Sequence, residues 1–201
     1  MLEKVEIVFE NNSVVKVTTV RQTEPREERP ESEKAQEEEP EDGEVPTYLV
    51  GSWFLRDCYN QLMQTNKEML HDVTGVKHNG TYTLERIVPL RLDESSPCYA
   101  RSDVISTRDA LMDMHRFGYL LTGVFHSHPG SGKHCVRPSG TDISNQKKLE
   151  DTGYKCISAI FSRDGWIRFF TNRNPFRVVV KGKGVEKVGD NLFRLTQTSC
   201  L

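Results

Sequence analysis

An acidic segment at residues 23–46 limits what this chain can fold into. It contains eleven acidic and three basic residues, so its local charge is −8, and it offers almost no apolar side chains to bury. A segment of this composition cannot offset the entropy lost on ordering, and its like charges repel one another. We expect an extended, disordered linker; an acidic recruitment segment is the alternative. The chain is therefore predicted to comprise residues 1–22, the linker at 23–46 and a domain at 47–201.

The first 22 residues alternate apolar and polar side chains, as a half-buried strand does. Val5, Ile7 and Phe9 fall on one face, Asn11-Asn12 offers a turn, and valines return after it. The pattern predicts an N-terminal β-hairpin. A single hairpin is marginally stable in water, so we expect it to dock on the main sheet or on a partner.

Residues 47–201 mix helix and strand periods without a regular alternation of the two, which predicts an α+β or irregular α/β domain. Helices are expected at 53–66, at 142–151, and through His115 from a cap at Ser106 or Thr107, with Asp109 as the acid that reaches back to that cap. Strands are expected within 73–88 around a turn at Asn79-Gly80, at 119–125, at 156–162 and 166–171 as a hairpin, and at 177–181.

The whole chain has a net charge of −2, so the part outside the linker carries +6. It has no block of lysine and arginine of the kind that marks a nucleic-acid-binding arm, and we expect no nucleic-acid partner. The five cysteines include no CxxC pair, and neither a signal sequence nor a membrane-spanning apolar run is evident. These features predict a cytoplasmic protein that does not bind membranes.

The most informative stretch is His126-Ser127-His128-Pro129, which follows the predicted strand at 119–125. Two histidines separated by one residue on an extended strand point to the same side, so both imidazoles could bind one ion. Asp142 follows after a loop. Two imidazoles, one carboxylate and an open position form a common catalytic zinc site.

Each part of this stretch also has a structural interpretation. A pair of histidines at the end of a strand is often polar surface. Ser139 and Asp142 have the spacing of a helix N-terminus, with Ser139 as the capping residue. Both roles can hold together, because a capping serine can still present its hydroxyl to a bound substrate.

The HSHP and PSGTD motifs resemble the signature of the JAMM (MPN+) zinc metallopeptidases, the JAB/Mov34/PAD-1-like family, and RPSGTD is similar to its prokaryotic JAB-type members. That family has a catalytic glutamate upstream, in the order glutamate then glycine before a strand, and in this chain Glu68, seven residues before Gly75, fits this element. Two departures stand out. His71 stands where the family has a small residue. The spacing from His128 to Ser139 is also longer by about three residues, with the insertion at 130–136; a longer surface loop costs little.

The resemblance covers roughly residues 48–180 and implies a cytidine-deaminase-like α/β MPN fold, a mixed β-sheet flanked by helices. It implies one Zn²⁺ per chain, bound by His126, His128 and Asp142. Glu68 would be the general base and acid, and Ser139 would donate to the oxyanion. The reaction implied is hydrolysis of a peptide or isopeptide bond after the C-terminal glycine of a ubiquitin-like modifier. Activating and conjugating enzymes of the same pathway are the further partners implied.

Other polar residues compete for these roles. Glu85, in the strand pattern TYTLERIVPL, is the rival base, although a glutamate on a surface strand is the ordinary explanation. His134 and Cys135 could approach the metal from the inserted loop, or could simply face solvent. Cys156, in an apolar strand, is expected to be a small core residue. No role is assigned to three further histidines, His71, His78 and His115.

Two other functions stay open. One is a non-catalytic MPN scaffold, which usually lacks the histidine pair or the aspartate. The other is a related zinc hydrolase that acts on sulfur-carrier or small peptide adducts, since specificity lies in the loops and not in the shared zinc chemistry.

Overall fold

The computed structural model describes residues 3–10, 13–21, 45–96, 99–173 and 175–196. These residues fall into two compact units, one within residues 1–44 and the other within residues 45–201. The first unit contains an antiparallel hairpin of β1 (Glu3–Glu10) and β2 (Ser13–Arg21), with Ile7 opposite Val17. The predicted N-terminal hairpin is therefore confirmed. Its predicted turn at Asn11-Asn12 lies outside the described residues, as do residues 23–44 of the acidic segment.

The second unit alternates short strands with three helices in an irregular order. The helices are α1 (Ser52–Leu62), α2 (Val104–Arg116) and α3 (Gly140–Asp151). The strands are β3 (Thr47–Gly51), β4 (Leu70–Gly75), β5 (Lys77–His78), β6 (Thr81–Leu84), β7 (Arg86–Pro89), β8 (Leu92–Ser96), β9 (Tyr99–Ser102), β10 (Leu120–His128), β11 (Ile157–Ser162), β12 (Trp166–Phe170), β13 (Arg177–Lys181), β14 (Val185–Gly189) and β15 (Leu192–Leu195).

The main sheet has seven strands in the order β14-β15-β12-β11-β10-β4-β7, and a second sheet has the order β13-β3-β6-β5. Strand β10 lies inside the main sheet, parallel to β11 and antiparallel to β4. His126 is opposite Leu70 of β4 on one side and Ile160 of β11 on the other. The histidine motif therefore ends a strand that is supported on both edges.

Helix α1 covers one face of the main sheet. Its apolar residues recur at helical spacing and lie on one side, and they pack in the main core with phenylalanines from the sheet. The buried residues involved are Phe54, Leu55, Cys58 and Leu62 of α1, and Phe125, Phe161 and Phe169 of the sheet.

The opposite face of β10 packs against α2 and α3. Val124, which alternates with Phe125 along the strand, contributes to a cluster with Met114 of α2 and Leu149 of α3. Cys156 belongs to the same cluster and is 1% exposed, as predicted for a small core residue. Helices therefore flank a mixed sheet on both faces, which confirms the predicted α+β class.

Several predicted elements match and others need correction. The strand containing the histidine motif, the hairpin at 157–170 and the strand at 177–181 are present, and Asn79-Gly80 forms a turn with positive φ at both residues. Helix α1 ends at Leu62, four residues before the predicted end, and its amphipathic spacing stops there. The pairs β8–β9 and β14–β15 were missed. β8 and β14 are largely exposed and show little apolar alternation, and β15 is a strand of only four residues, although its Leu192 and Phe193 are buried.

The predicted cap of α2 was wrong. The helix begins at Val104, and the capping residue is Asp103, whose Oδ1 accepts a hydrogen bond from the Ser106 amide at 2.7 Å. Ser106 and Thr107 therefore lie inside the first turn. Asp109, predicted to reach back to the cap, instead pairs with Arg108 on the surface.

None of the helices in the described part of the chain has the length and apolar run needed to cross a bilayer.

Candidate metal centre

The end of β10 carries the histidine pair. Because side chains alternate along a strand, His126 and His128 share one side, and their Nε2 atoms lie 3.3 Å apart. Ser127 points to the other side and is buried. Pro129 follows directly, where the strand ends.

Asp142 reaches the same place from the first turn of α3. Ser139 is the N-cap: its Oγ accepts from the Asp142 amide at 3.2 Å, and Asp142 Oδ2 accepts from the Ser139 amide at 2.7 Å. This reciprocal pair is a capping box. The other carboxylate oxygen, Oδ1, lies 3.2 Å from His126 Nε2. One carboxylate therefore both starts the helix and faces the histidines.

The three side chains could hold a metal ion. One ligand atom from each of His126, His128 and Asp142 lies within 4.8 Å of the other two. Besides the two contacts above, His128 Nε2 lies 3.7 Å from Asp142 Oδ2. A tetrahedral ion with bonds of about 2.0–2.1 Å separates its ligand atoms by about 3.4 Å, so these separations and this set of donor atoms fit zinc.

Glu68 completes the group from the residues that precede β4. Its Oε1 lies 3.8 Å from His128 Nε2. Its main chain is held by β8: the Glu68 amide donates to the Ser96 carbonyl at 2.8 Å, and Ser95 Oγ donates to the Glu68 carbonyl at 2.7 Å. The main chain at Glu68 is therefore fixed by its hydrogen bonds to β8.

The two carboxyl groups differ in their affinity for protons. Burial raises the pKa of Glu68, as does the negative charge of Asp142, while His128 opposes the shift. Burial also acts to raise the pKa of Asp142, but hydrogen bonds from His126 and Ser139 outweigh it and leave that pKa well below its usual range. The raised pKa of Glu68 suits a group that transfers protons, and the lowered pKa of Asp142 suits a group that stays ionised.

The group is partly open to solvent. The side chains of the three candidate ligands and Glu68 are between 10% and 19% exposed. Partial burial of this kind strengthens electrostatic interactions relative to bulk water, and part of each side chain is still reached by solvent.

The side chains that compete for these roles do not join the candidate ligand group. Glu85 is exposed, and its amide bonds to the carbonyl of Thr74, four residues along β4 from Leu70. It is therefore near the far end of that strand, roughly 13 Å from the end that Glu68 precedes. His134 is exposed, and neither it nor Cys135 belongs to the candidate ligand group.

Three residues contribute in ways that sequence reasoning missed. Ser127 Oγ accepts from the Met69 amide at 2.9 Å, which ties the residue after Glu68 to the histidine strand. The Cys135 carbonyl accepts from His128 Nδ1 at 2.6 Å. Ser95 supports Glu68 as described. Alternation along β10 could have shown that Ser127 faces away from the ligands, but no sequence signal marks a contact made by a main-chain carbonyl.

The fold and the site together define an α+β protein with a His-His-Asp candidate metal centre. No protein-family model and no curated protein matches the chain. Among solved structures, a protein from Desulfitobacterium hafniense, determined in solution, aligns with a TM-score of 0.51 and 18% identity over 68% of this chain and 94% of that one. A JAB1/MPN domain protein from Archaeoglobus fulgidus aligns with a TM-score of 0.40 and 15% identity over 66% of this chain and 98% of that one. The first alignment shows a shared fold.

Proposed function

We propose that this protein is a zinc-dependent peptidase or isopeptidase of the JAMM type, which hydrolyses the bond after the C-terminal glycine of a ubiquitin-like modifier. The observation that carries the proposal is the convergence of two imidazoles and a carboxylate with Glu68 beside them. The HSHP and PSGTD motifs and the upstream glutamate support the family assignment, although the loop between the two motifs is longer than in the family, and the substrate class follows from that resemblance.

The metal would be bound by His126, His128 and Asp142. A bound zinc ion supplies Lewis acidity, which lowers the pKa of water and polarises a carbonyl oxygen. The donor set is suited to it, because a histidine pair and one carboxylate leave a fourth position open.

Glu68 has the properties of the proton-transferring group. Burial raises its pKa, so the carboxyl can accept a proton from the attacking water and return it to the departing amine. Its side chain lies within 3.8 Å of His128 Nε2, at the edge of the candidate ligand group.

Ser139 would donate a hydrogen bond to the oxyanion that develops on the scissile carbonyl. Its Oγ accepts a hydrogen bond from the Asp142 amide, which leaves the hydroxyl proton available. Loss of one oxyanion donor typically lowers kcat by about 10²–10³-fold.

Two substitutions test the proposal. The substrates are ubiquitin joined through its C-terminal glycine to the ε-amine of a lysine in a short peptide, and the same peptide joined through its α-amine. Product masses report hydrolysis, and metal analysis reports zinc. We expect Glu68→Gln to abolish hydrolysis with zinc content unchanged, whereas the matched Glu85→Gln should retain activity.

Each other outcome has a definite meaning. Inactivation by Glu85→Gln and not by Glu68→Gln would reverse the assignment of the base. Activity in protein stripped of metal would contradict the zinc mechanism. Stoichiometric zinc with no hydrolysis of either linkage would favour a different adduct, such as a sulfur-carrier or small peptide conjugate.

A further inference from the structure

The inserted loop between His128 and Ser139 touches the candidate metal centre. The Cys135 carbonyl accepts a hydrogen bond from His128 Nδ1 at 2.6 Å. A carbonyl oxygen only accepts, so His128 Nδ1 must carry the proton. Nε2, the atom that faces His126 and Asp142, is then left with its lone pair for a metal.

Two local features shape the loop around Cys135. Its amide donates to the Gly132 carbonyl at 3.0 Å, and its thiol donates to the Ser131 carbonyl at 2.8 Å. The next residue, Val136, is fully buried in an apolar cluster with Ile160 and Phe170. The position of the Cys135 carbonyl is thus fixed by hydrogen bonds to the residues before it and by the buried side chain of Val136 after it.

A second anchor comes from the turn after β11. Asp164 Oδ1 accepts from the Gly132 amide at 2.9 Å and from Ser162 Oγ at 2.8 Å. The neighbouring Arg163 amide donates to the Gly130 carbonyl at 3.0 Å. Because β10 and β11 are parallel with His128 opposite Ser162, the segment after one strand lies beside the turn after the other.

We propose that Asp164 is a positioning residue for metal binding. Its carboxylate fixes Gly132, the turn from Gly132 places the Cys135 carbonyl, and that carbonyl fixes the His128 ring with Nε2 toward the metal. The inserted loop is therefore a support of the metal centre. The inference rests on the proposed function only for the identity of the ion, zinc.

The test measures zinc affinity in the full chain by competition with a chelator of known affinity. Loss of an outer support of a ligand typically weakens metal binding by about 10–100-fold, and we expect Asp164→Ala to weaken zinc binding by about tenfold or more. Asp164→Asn keeps an oxygen acceptor of the same shape and should bind zinc nearly as well as the unaltered protein. The matched control is Asp190→Ala, which removes an exposed aspartate from the turn between β14 and β15.

A second measurement separates positioning from general damage. Nitrogen-15 spectra of the metal-free protein report which imidazole nitrogen of His128 carries the proton. We expect Nδ1–H in the unaltered protein and in Asp164→Asn, and a mixture of tautomers in Asp164→Ala. Asp164→Gly, which suits a turn, replaces the alanine variant should that variant fail to fold.

Equal zinc affinity in Asp164→Ala and the unaltered protein would overturn the inference. So would an unchanged His128 tautomer alongside weaker binding. Neither measurement uses hydrolysis as a readout. The protein could therefore bind zinc in a way that depends on Asp164 and yet show no peptidase activity. That result would sustain this inference and refute the proposed function. No zinc binding by the unaltered protein would refute both.

Discussion

Ser127 of β10 and Met69, the residue directly before β4, are joined by two hydrogen bonds. The Met69 amide donates to Ser127 Oγ at 2.9 Å, and the Ser127 amide donates to the Met69 carbonyl at 3.0 Å. Ser127 lies between the two histidines in sequence, and Met69 directly follows Glu68. The pair therefore sets the distance between the candidate base and the candidate ligands, although neither residue faces the metal.

We expect Ser127→Ala to lower hydrolysis by up to about 10²-fold, because small displacements of a catalytic group can have that effect. Zinc content should be unchanged, since both histidines remain on β10. Loss of this partly buried hydrogen bond to the Met69 amide should also lower the unfolding free energy by about 1 kcal/mol. Steady-state rates, metal analysis and urea unfolding measure the three effects, with the exposed Ser144→Ala of α3 as control. Full activity in Ser127→Ala would refute this role.

Ser139 is expected to have two separable effects. Ser139→Ala should cost about 1 kcal/mol of stability, the usual loss for an N-cap, and about 10²–10³-fold in rate through the lost oxyanion donor. Asp103→Ala removes the corresponding cap of α2 and should cost a similar amount of stability with no loss of rate. A rate loss in Ser139→Ala no larger than that in Asp103→Ala would show that Ser139 acts only as a cap.

Zinc should stabilise the folded protein through His126. A ligand at a hundred times its Kd adds about 2.7 kcal/mol to the unfolding free energy, so zinc should raise the melting temperature of the unaltered protein. His126→Ala removes a candidate ligand and should abolish this increase. His115→Ala, on the exposed side of α2, should retain it. Calorimetry with and without zinc measures the effect, and equal increases in all three proteins would place the metal elsewhere.

Asp72 should make stability depend on pH. It lies on β4 between Val88 and Val124, and burial raises its pKa from 3.8 to about 7. The folded protein therefore holds this proton at pH values where the unfolded chain has released it. Stability from this group is present below about pH 4 and is lost as pH rises toward 7, by about 1.4 kcal/mol per unit.

Asp72→Asn removes this dependence. Between pH 5 and pH 8, its unfolding free energy relative to the unaltered protein should rise by roughly 3 kcal/mol. Urea unfolding at several pH values, with a chelator present to remove metal effects, measures the difference. Asp113→Asn, an exposed substitution on α2, should follow the unaltered protein. A constant difference between Asp72→Asn and the unaltered protein across this range would count against the raised pKa.

The N-termini of α2 and α3 differ in how well the sequence predicts them. Both helices begin with a short polar side chain that accepts from an amide three residues on. At α3 the motif was recognised, because Ser139 and Asp142 form a complete capping box. At α2 three candidates lie within five residues, and Ser106 or Thr107 was predicted although Asp103 caps the helix. Local chemistry alone does not choose among capping residues this close together in the sequence.

The sequence by itself determined which side chains share a side of β10, since alternation along a strand is a local property. The sequence also determined that Asp142 would lie in the first turn of α3, because the capping box of Ser139 and Asp142 involves only four consecutive residues. Only the tertiary structure decided that Glu68 lies 3.8 Å from His128, and that the Cys135 carbonyl holds the ring of that histidine. The first contact requires β4 to pair antiparallel with β10. The second depends on a loop anchored by the neighbouring turn, and main-chain atoms of a loop leave no periodic or compositional trace in a sequence.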